Sequence, residues 1–145
     1  VVGGGGPKLL RLAGREADIV GINPNLRVGA ITADAATDTL ADVTRQKIQW
    51  VREGAGDRFD ELELQIRYFV ASITDDARGV AEMLAPGFGI TADEAMGSAV
   101  ACIGTVDEIC DLLVQRREEW GVSYCVFGDD TYEAFAPVVA RLAGT

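Results

Sequence analysis

Short apolar segments alternate with longer segments of helical periodicity along this chain. The runs at 1–2, 19–22 and 123–127 have the character of buried parallel strands. Between the apolar runs, residues at three- and four-residue spacing predict helices over about 7–17, 38–53, 75–85, 106–120 and 131–143. With a further strand near residue 66, strands and helices alternate four times, which is typical of parallel βα units and predicts an α/β fold.

The segment Leu62–Ser72 has the clearest strand pattern. Its apolar positions alternate with Glu63, Gln65 and Arg67, so we expect these three side chains on the face of the sheet that points away from the helices. A buried charge requires a partner. An ion pair with Glu63 is therefore the favoured role of Arg67, and a substrate anchor is the alternative.

Helix boundaries are indicated by capping residues, glycine and proline. Thr91 and Thr105 each precede a glutamate by three positions, which is the pattern of a capping box. Gly121 predicts the end of the long helix that follows Thr105. We expect Thr74 to cap the helix that begins near residue 75, and Pro86 to end it.

Four consecutive glycines, Gly3, Gly4, Gly5 and Gly6, separate the first strand from a helix that Pro7 opens. Glycine lets the backbone approach a ligand closely, and the free N–H groups at a helix N-terminus favour a phosphate. The segment does not fit the Rossmann fingerprint, because it has Lys8 where the last glycine is required. It does not fit the P-loop motif either, because Pro7 precedes Lys8 where that motif requires glycine. We predict a phosphate-binding turn, and the alternative is a tight turn without a ligand.

Polar residues also follow the other predicted strands, where ligands of parallel α/β proteins bind. They are Asn23, then Ser72 and Thr74, and then Gly128–Asp130. Each has an ordinary role in a turn or helix cap. Asn23 is retained as a weak candidate for substrate binding, and the pair 129–130 fits a cap better than a metal site.

The length, net charge, cysteine content and lack of histidine exclude several classes of partner and site. The 145 residues suffice for one domain, and the net charge of −10 argues against nucleic acid and anionic membranes as partners. No apolar run reaches the length of about 18 residues that a membrane helix needs. Three cysteines without metal-site spacing indicate reduced thiols and a cytoplasmic location, and the absence of histidine excludes histidine-dependent triads and most metal sites.

Several segments together resemble the bacterial luciferase-like family, in particular its coenzyme F-420-dependent oxidoreductases. They read GGGGP at 3–7, LRLAGREADIVGIN at 10–23, IGTVDEIC at 103–110, WGVSY at 120–124 and FAPVVARLAG at 135–144. The resemblance spans nearly all of residues 1–145, and it corresponds to the C-terminal half of such a protein. The chain also starts inside a strand, so we expect it to be part of a longer one.

The resemblance implies four βα units of a (β/α)₈ barrel, with the turn at Gly4, Gly5, Gly6 and Pro7 against the phosphate of coenzyme F-420, or of FMN as the alternative. It implies hydride transfer between the deazaflavin and an unidentified organic small molecule, or an FMN-dependent monooxygenase reaction. The catalytic groups are expected on the early strands, outside this chain. A self-contained open α/β sheet is the alternative fold, and a non-catalytic half-barrel that binds a partner is the alternative function.

Half of a barrel leaves two sheet edges and its inner face uncovered. We therefore expect this chain to form a homo-oligomer or to pair with the missing N-terminal half.

Overall fold

The computed structural model describes residues 1–25, 33–129 and 131–144, and the side chain of Ala33 is outside this description. The strands are β1 (Val2–Gly4), β2 (Ile19–Ile22), β3 (Glu63–Arg67), β4 (Val70–Ile73), β5 (Ala101–Gly104) and β6 (Val122–Val126). The helices are α1 (Pro7–Glu16), α2 (Ala33–Thr37), α3 (Ala41–Ala55), α4 (Ala77–Phe88), α5 (Ala92–Gly97), α6 (Val106–Trp120) and α7 (Ala136–Leu142), with a 3-10 helix at Gly56–Glu61.

Four parallel strands form the main sheet in the order β1-β2-β3-β6, and β4 and β5 form a separate parallel pair. Val20 of β2 lies between Val2 of β1 and Leu64 of β3, and Leu64 pairs in turn with Val122 of β6. The predicted α/β fold with parallel strands is thereby confirmed. All pairings in the main sheet are parallel, so the carboxyl ends of all four strands lie along one edge.

The predicted strand over Leu62–Ser72 is in fact two strands, and this part of the prediction is wrong. Tyr68 N–H donates to Val126 O in β6, whereas Val70 N–H donates to Val100 O, just before β5. The chain therefore changes its partner strand at residues 68–69, which alternation along the sequence does not reveal. Strand β5 was not predicted, because four residues of mixed size show no periodicity.

Helix α1 packs against α3 through glycines at the point of closest approach. A Cβ on Gly14 would lie 2.2 Å from Val51 O, and one on Gly54 would lie 2.0 Å from Arg11 O. The buried face of α1 is thus formed by Leu10, Ala13 and Gly14. Helical periodicity predicts Leu9 and Leu12 on the inner face with Leu10 and Ala13, and this prediction is wrong. Both leucines point outward, since Leu9 is 41% exposed and Leu12 is 43% exposed.

Several helix boundaries differ from the predictions. The cap of α4 is Asp76, whose carboxylate accepts from Gly79 N at 2.9 Å, while Thr74 accepts from Asp76 N in the preceding turn. Pro86 lies inside α4, which continues to Phe88 and ends at Gly89 in the left-handed region. Helix α7 begins at residue 136 rather than 131, and α3 begins at residue 41 rather than 38.

The remaining boundary predictions are confirmed. Thr91 and Thr105 form complete capping boxes with Glu94 and Glu108, and Gly121 ends α6 with a φ of 72°. None of the helices in the described ranges is long and apolar enough to cross a membrane.

A buried guanidinium joins α6 to the start of β5. Arg116 of α6 donates to the carbonyl oxygens of Ser98, Ala99 and Ala101 at 2.8–3.2 Å, and its guanidinium lies 5.4 Å from the Tyr68 ring. These bonds fix α6 against the start of β5 without a carboxylate, because backbone carbonyls can satisfy a guanidinium.

Cys102 generates a prediction about alkaline stability, since burial raises its thiol pKa from 9.0 to about 12. As the pH rises above 9, the unfolded chain loses this proton first, so stability present below that pH is lost as the pH climbs toward 12. Cys102 should therefore contribute a fall of about 2 kcal/mol in unfolding free energy between about pH 8 and 10.5.

Urea denaturation of the wild-type chain and of Cys102→Ala at several pH values measures this contribution as a difference in slope. The comparison with Cys102→Ala removes the contributions of other buried groups. Burial raises the Tyr68 pKa, which adds to the fall in unfolding free energy as the pH rises, and burial lowers the Lys47 pKa, which opposes that fall. Parallel pH profiles for the two proteins would contradict the assignment.

Candidate functional site

The carboxyl ends of β1, β2 and β3 surround an open groove of about 530 Å³. We call it the strand-end groove. It is lined by Gly4, Gly5, Asn23, Pro24, Asn25, Gln65, Arg67 and Phe69. Gly4, Gly5 and Asn23 were predicted as site residues from the sequence, and the fold brings them together on this groove. Gly6 and Pro7 lie outside its lining.

The glycine turn makes no use of the positive φ that glycine permits. None of the four glycines has a positive φ. Three of them instead make room for the protein itself. A Cβ would lie 2.6 Å from Asn23 Nδ2 at Gly3, 2.6 Å from the Leu9 side chain at Gly4, and 2.7 Å from Asn25 N at Gly5. Close packing against the end of β2 at Gly3 and Gly5, and against Leu9 of α1 at Gly4, therefore accounts for these glycines without a ligand.

Gly6 is the exception. A Cβ there would have no atom within 4 Å, and Gly6 is the N-cap of α1 with extended backbone at φ −108°. No side chain caps this helix end, and Pro7 occupies its first position. The N–H groups of the first turn therefore lie beside open space, which is the arrangement that admits an anion.

A buried lysine holds the end of β2 in place. Lys47 of α3 is 2% exposed at its side chain, and its ammonium donates to Asn23 O at 3.0 Å, to Asp38 O at 2.7 Å and to Asp38 Oδ2 at 2.6 Å. The same Asp38 Oδ2 accepts from Asn25 N at 2.6 Å. Burial lowers the Lys47 pKa and Asp38 opposes that shift. The network fixes the backbone of residues 23–25, which forms one wall of the groove.

Arg67 and Phe69 border the groove on the β3 side. The guanidinium of Arg67 lies 5.4 Å from the centroid of the Phe69 ring. The expected ion pair with Glu63 does not form, because no carboxylate of the described residues lies within salt-bridge distance of Arg67. This prediction is wrong because Arg67 points over the ring beyond the end of β3 and leaves Glu63 at the start of that strand.

A second cavity of about 310 Å³ continues from the strand-end groove toward the end of β6. Arg67 and Phe69 line both, and Gly128, Asp129 and Thr131 close the far side. Asp129 thus lies near the candidate site as the strand-end prediction anticipated, while residue 130 is outside the described residues. Thr74 is occupied in a turn, and Ser72 pairs with Ile103 within β4 and β5, so neither contributes to the groove.

An apolar cavity of about 80 Å³ adjoins the groove on its other side, between α2, α4, α5 and the β4–β5 pair. Pro24 and Phe69 line both spaces. Its other walls are mainly small and aliphatic side chains, such as those of Ala81, Leu84 and Ile103.

The chemistry of the strand-end groove is that of binding. Among the described residues, its lining offers neutral amides, the Arg67 guanidinium and backbone groups, and it includes no carboxylate or thiol. Among the described residues, no group of three or more acidic or cysteine side chains is arranged to hold a metal ion. The described lining of the groove can bind and orient a polar or anionic ligand. It contains no side chain suited to moving a proton at neutral pH.

Sequence reasoning missed Asn25, Phe69 and the Lys47–Asp38 pair. A signal for Lys47 was present, since it falls on the same helical face as Thr44, Ile48 and Val51. Alternation along Leu62–Ser72 predicts Phe69 on the same face as Gln65 and Arg67, but not that it borders a groove, which depends on the change of partner strand.

Comparison with known proteins identifies a structural relative and no sequence relative. No protein-family model matches the chain, and no curated protein matches it significantly. Its fold is similar to the structure of coenzyme F-420-dependent tetrahydromethanopterin reductase from Methanopyrus kandleri, with a TM-score of 0.58 and 17% identity. The match covers 97% of this chain and 48% of the reductase, so the chain spans about half the length of that protein. At this identity the likeness shows the fold alone.

The packing of the turn leads to a prediction at two adjacent glycines. Gly5→Ala should cost about 1–3 kcal/mol of unfolding free energy, because its new methyl group meets the backbone of residues 23 and 25. Gly6→Ala should change it by less than about 0.5 kcal/mol, because its methyl group enters open space. Urea denaturation of both variants measures the difference, and equal losses would contradict the packing described here.

Proposed function

We propose that this chain is the C-terminal half of a luciferase-like oxidoreductase and supplies the phosphate-binding part of a coenzyme F-420 site. The complete enzyme transfers a hydride between the deazaflavin and an organic substrate. Two independent lines support this: the motif resemblance, which runs through nearly the whole chain, and the fold shared with an F-420-dependent reductase.

The observation that carries the proposal is the position of the groove. It lies at the carboxyl ends of three adjacent parallel strands, beside the N-terminus of α1. Its lining includes the glycine turn, Asn23, Gln65 and Arg67. Ligands of parallel α/β proteins bind at this end of the sheet. A turn with a purely structural role would not require the amides of Asn23 and Gln65 and the guanidinium of Arg67 to line the same groove.

The residues present fit the phosphate of such a cofactor. Gly6 leaves space above the first turn of α1, and no side-chain cap from the described residues occupies its N–H groups. The backbone of residues 6–9 would hold the phosphate, and exposed Lys8 would add positive charge beside it. The side chains of Asn23 and Gln65 would orient the adjoining part of the ligand by hydrogen bonds.

The deazaflavin, when bound, supplies the hydride chemistry. This chain binds and orients, and we infer that groups acting at the reacting ring come from the early strands of the complete barrel. The free thiols of Cys102, Cys110 and Cys125 are consistent with the cytoplasmic location that we propose for the enzyme.

A bulky side chain at Gly6 tests the phosphate site with little effect on the fold. Gly6→Val should weaken binding of coenzyme F-420 by about tenfold or more, because it fills the space above the helix end and costs charge-assisted hydrogen bonds. Gly97→Val is the matched control, since Gly97 also has no neighbour within 4 Å but is the last residue of α5, whereas Gly6 is at the N-terminus of α1.

Fluorescence titration of coenzyme F-420 into the complete gene product, with unfolding curves for each variant, makes the comparison. Equal affinities for the wild type and Gly6→Val would show that the turn is structural only. Saturable binding of FMN without binding of coenzyme F-420 would replace the proposal by the FMN-dependent monooxygenase alternative. Binding of neither would favour the non-catalytic half-barrel.

Association follows from the outer strands of the sheet. We propose that β1 and β6 pair with further strands, either of the N-terminal half of the barrel or of a second copy. Beside β6, α6 and α7 form a groove of about 290 Å³ that includes exposed Val114, Tyr124 and Val139. Unpaired strand edges next to exposed apolar side chains favour pairing with another chain.

Analytical ultracentrifugation of the 145-residue chain tests this association. We expect a dimer or larger species at micromolar concentration, with little dependence on salt above about 0.15 M, because screening beyond about 8 Å weakens repulsion by the net charge of −10. A compact monomer throughout the concentration range would contradict the half-barrel and favour a self-contained open sheet.

A further inference from the structure

Arg67 differs from most arginines of this acidic chain in having no carboxylate partner among the described residues. In the described part of the chain, salt bridges are formed by Arg11, Arg15, Arg45, Arg58, Arg78 and Arg141. Arg67 is instead exposed and lies over the Phe69 ring. With 23 acidic residues against 13 basic ones, an unpaired guanidinium at a groove is not explained by a shortage of partners.

The surroundings of Arg67 also favour an anion. The strand-end groove presents Gln65, Asn23 and Asn25, all neutral, and the buried Lys47 ammonium lies behind the backbone of residue 23. Of the described residues that line the adjoining cavity, Asp129 is acidic, and it is not within salt-bridge distance of Arg67. Glu63 lies at the opposite end of β3. The Phe69 ring covers one face of the guanidinium and leaves its N–H edges available to a ligand.

We propose that Arg67 is an anion-recognition residue that binds a carboxylate or phosphate group of the ligand, at a point separate from the α1 N-terminus. A guanidinium matches these groups because its fork donates two parallel hydrogen bonds. Gln65, two residues earlier on the same strand face, donates to a remaining oxygen. This inference rests on the proposal that the groove binds a ligand, and it is independent of which cofactor is bound. The anion belongs either to the substrate or to the cofactor tail.

The direct test observes the arginine side chains by NMR in the 145-residue chain. Inorganic pyrophosphate and malonate serve as probes, titrated at constant ionic strength. We expect saturable shifts of the Arg67 Nε–H signal and of the Gln65 amide, and Arg67→Gln should weaken probe binding about tenfold or more. Arg67→Lys keeps the charge without the fork and should recover only part of the affinity.

Arg52 provides a matched control. Its guanidinium also lies over a ring, 4.1 Å from the centroid of Phe59, but it is not part of either cavity. Arg52→Gln should therefore leave probe binding unchanged. Equal, non-saturating shifts at Arg52 and Arg67, or undiminished binding by Arg67→Gln, would overturn the proposal.

Coenzyme F-420 distinguishes the two sources of the anion. If the cofactor tail binds Arg67, Arg67→Gln weakens coenzyme binding and the bound coenzyme displaces pyrophosphate from Arg67. If the substrate binds there, coenzyme affinity is unaffected and pyrophosphate still binds beside the coenzyme. Both results support recognition at Arg67. Saturable pyrophosphate binding at Arg67 without any affinity for the coenzyme would sustain this inference while contradicting the cofactor assignment.

Discussion

The buried ammonium of Lys47 is the constraint on which the candidate site depends. A lysine that is 2% exposed is tolerated only when its charge is satisfied, and here two backbone carbonyls and the Asp38 carboxylate do so at 2.6–3.0 Å. Because Asp38 also accepts from Asn25 N, one ion pair joins α3 to the segment that follows β2. That segment packs against Gly5 so closely that a methyl group would not fit between them. The glycine turn and the wall of the groove are thus set by the same network.

The topology explains why polar residues distant in sequence meet at this network. Strands β1, β2, β3 and β6 are parallel and follow chain order, so the residues after each one arrive at the same edge of the sheet. Arg67 stands at the junction, where β3 ends and the chain leaves β6 to pair with β5. The strand-end groove and the cavity beside it both include Arg67 and Phe69 in their linings. A ligand that spans the strand ends would contact both.

The sequence was sufficient for the parts of the fold that depend on local interactions. Capping boxes at Thr91 and Thr105, the short apolar run of β2 and the terminal glycine of α6 were all predicted, because neighbouring residues determine them. The division between β3 and β4 and the orientation of Leu9 and Leu12 were not, since they depend on which element packs opposite. The same distinction applies to the candidate site. Gly4, Gly5 and Asn23 were predicted from the sequence and line the strand-end groove, and their role in binding stays a prediction. The close packing at Gly5 depends on residues 23–25, and the position of Arg67 over the Phe69 ring depends on the change of partner strand.

Amide hydrogen exchange of Lys47→Met, compared with the wild-type chain, tests most directly whether this ion-pair network positions the groove. Loss of the ammonium leaves Asp38 unpaired and frees Asn23 O, so exchange at the amides of Asn23 and Asn25 should quicken by about tenfold or more. Amides at the centre of the sheet, such as those of Leu64 and Ile66, should keep their protection relative to the global stability of the variant. Unchanged exchange at Asn23 and Asn25, once corrected for that stability, would show that the wall of the groove is held by something other than Lys47.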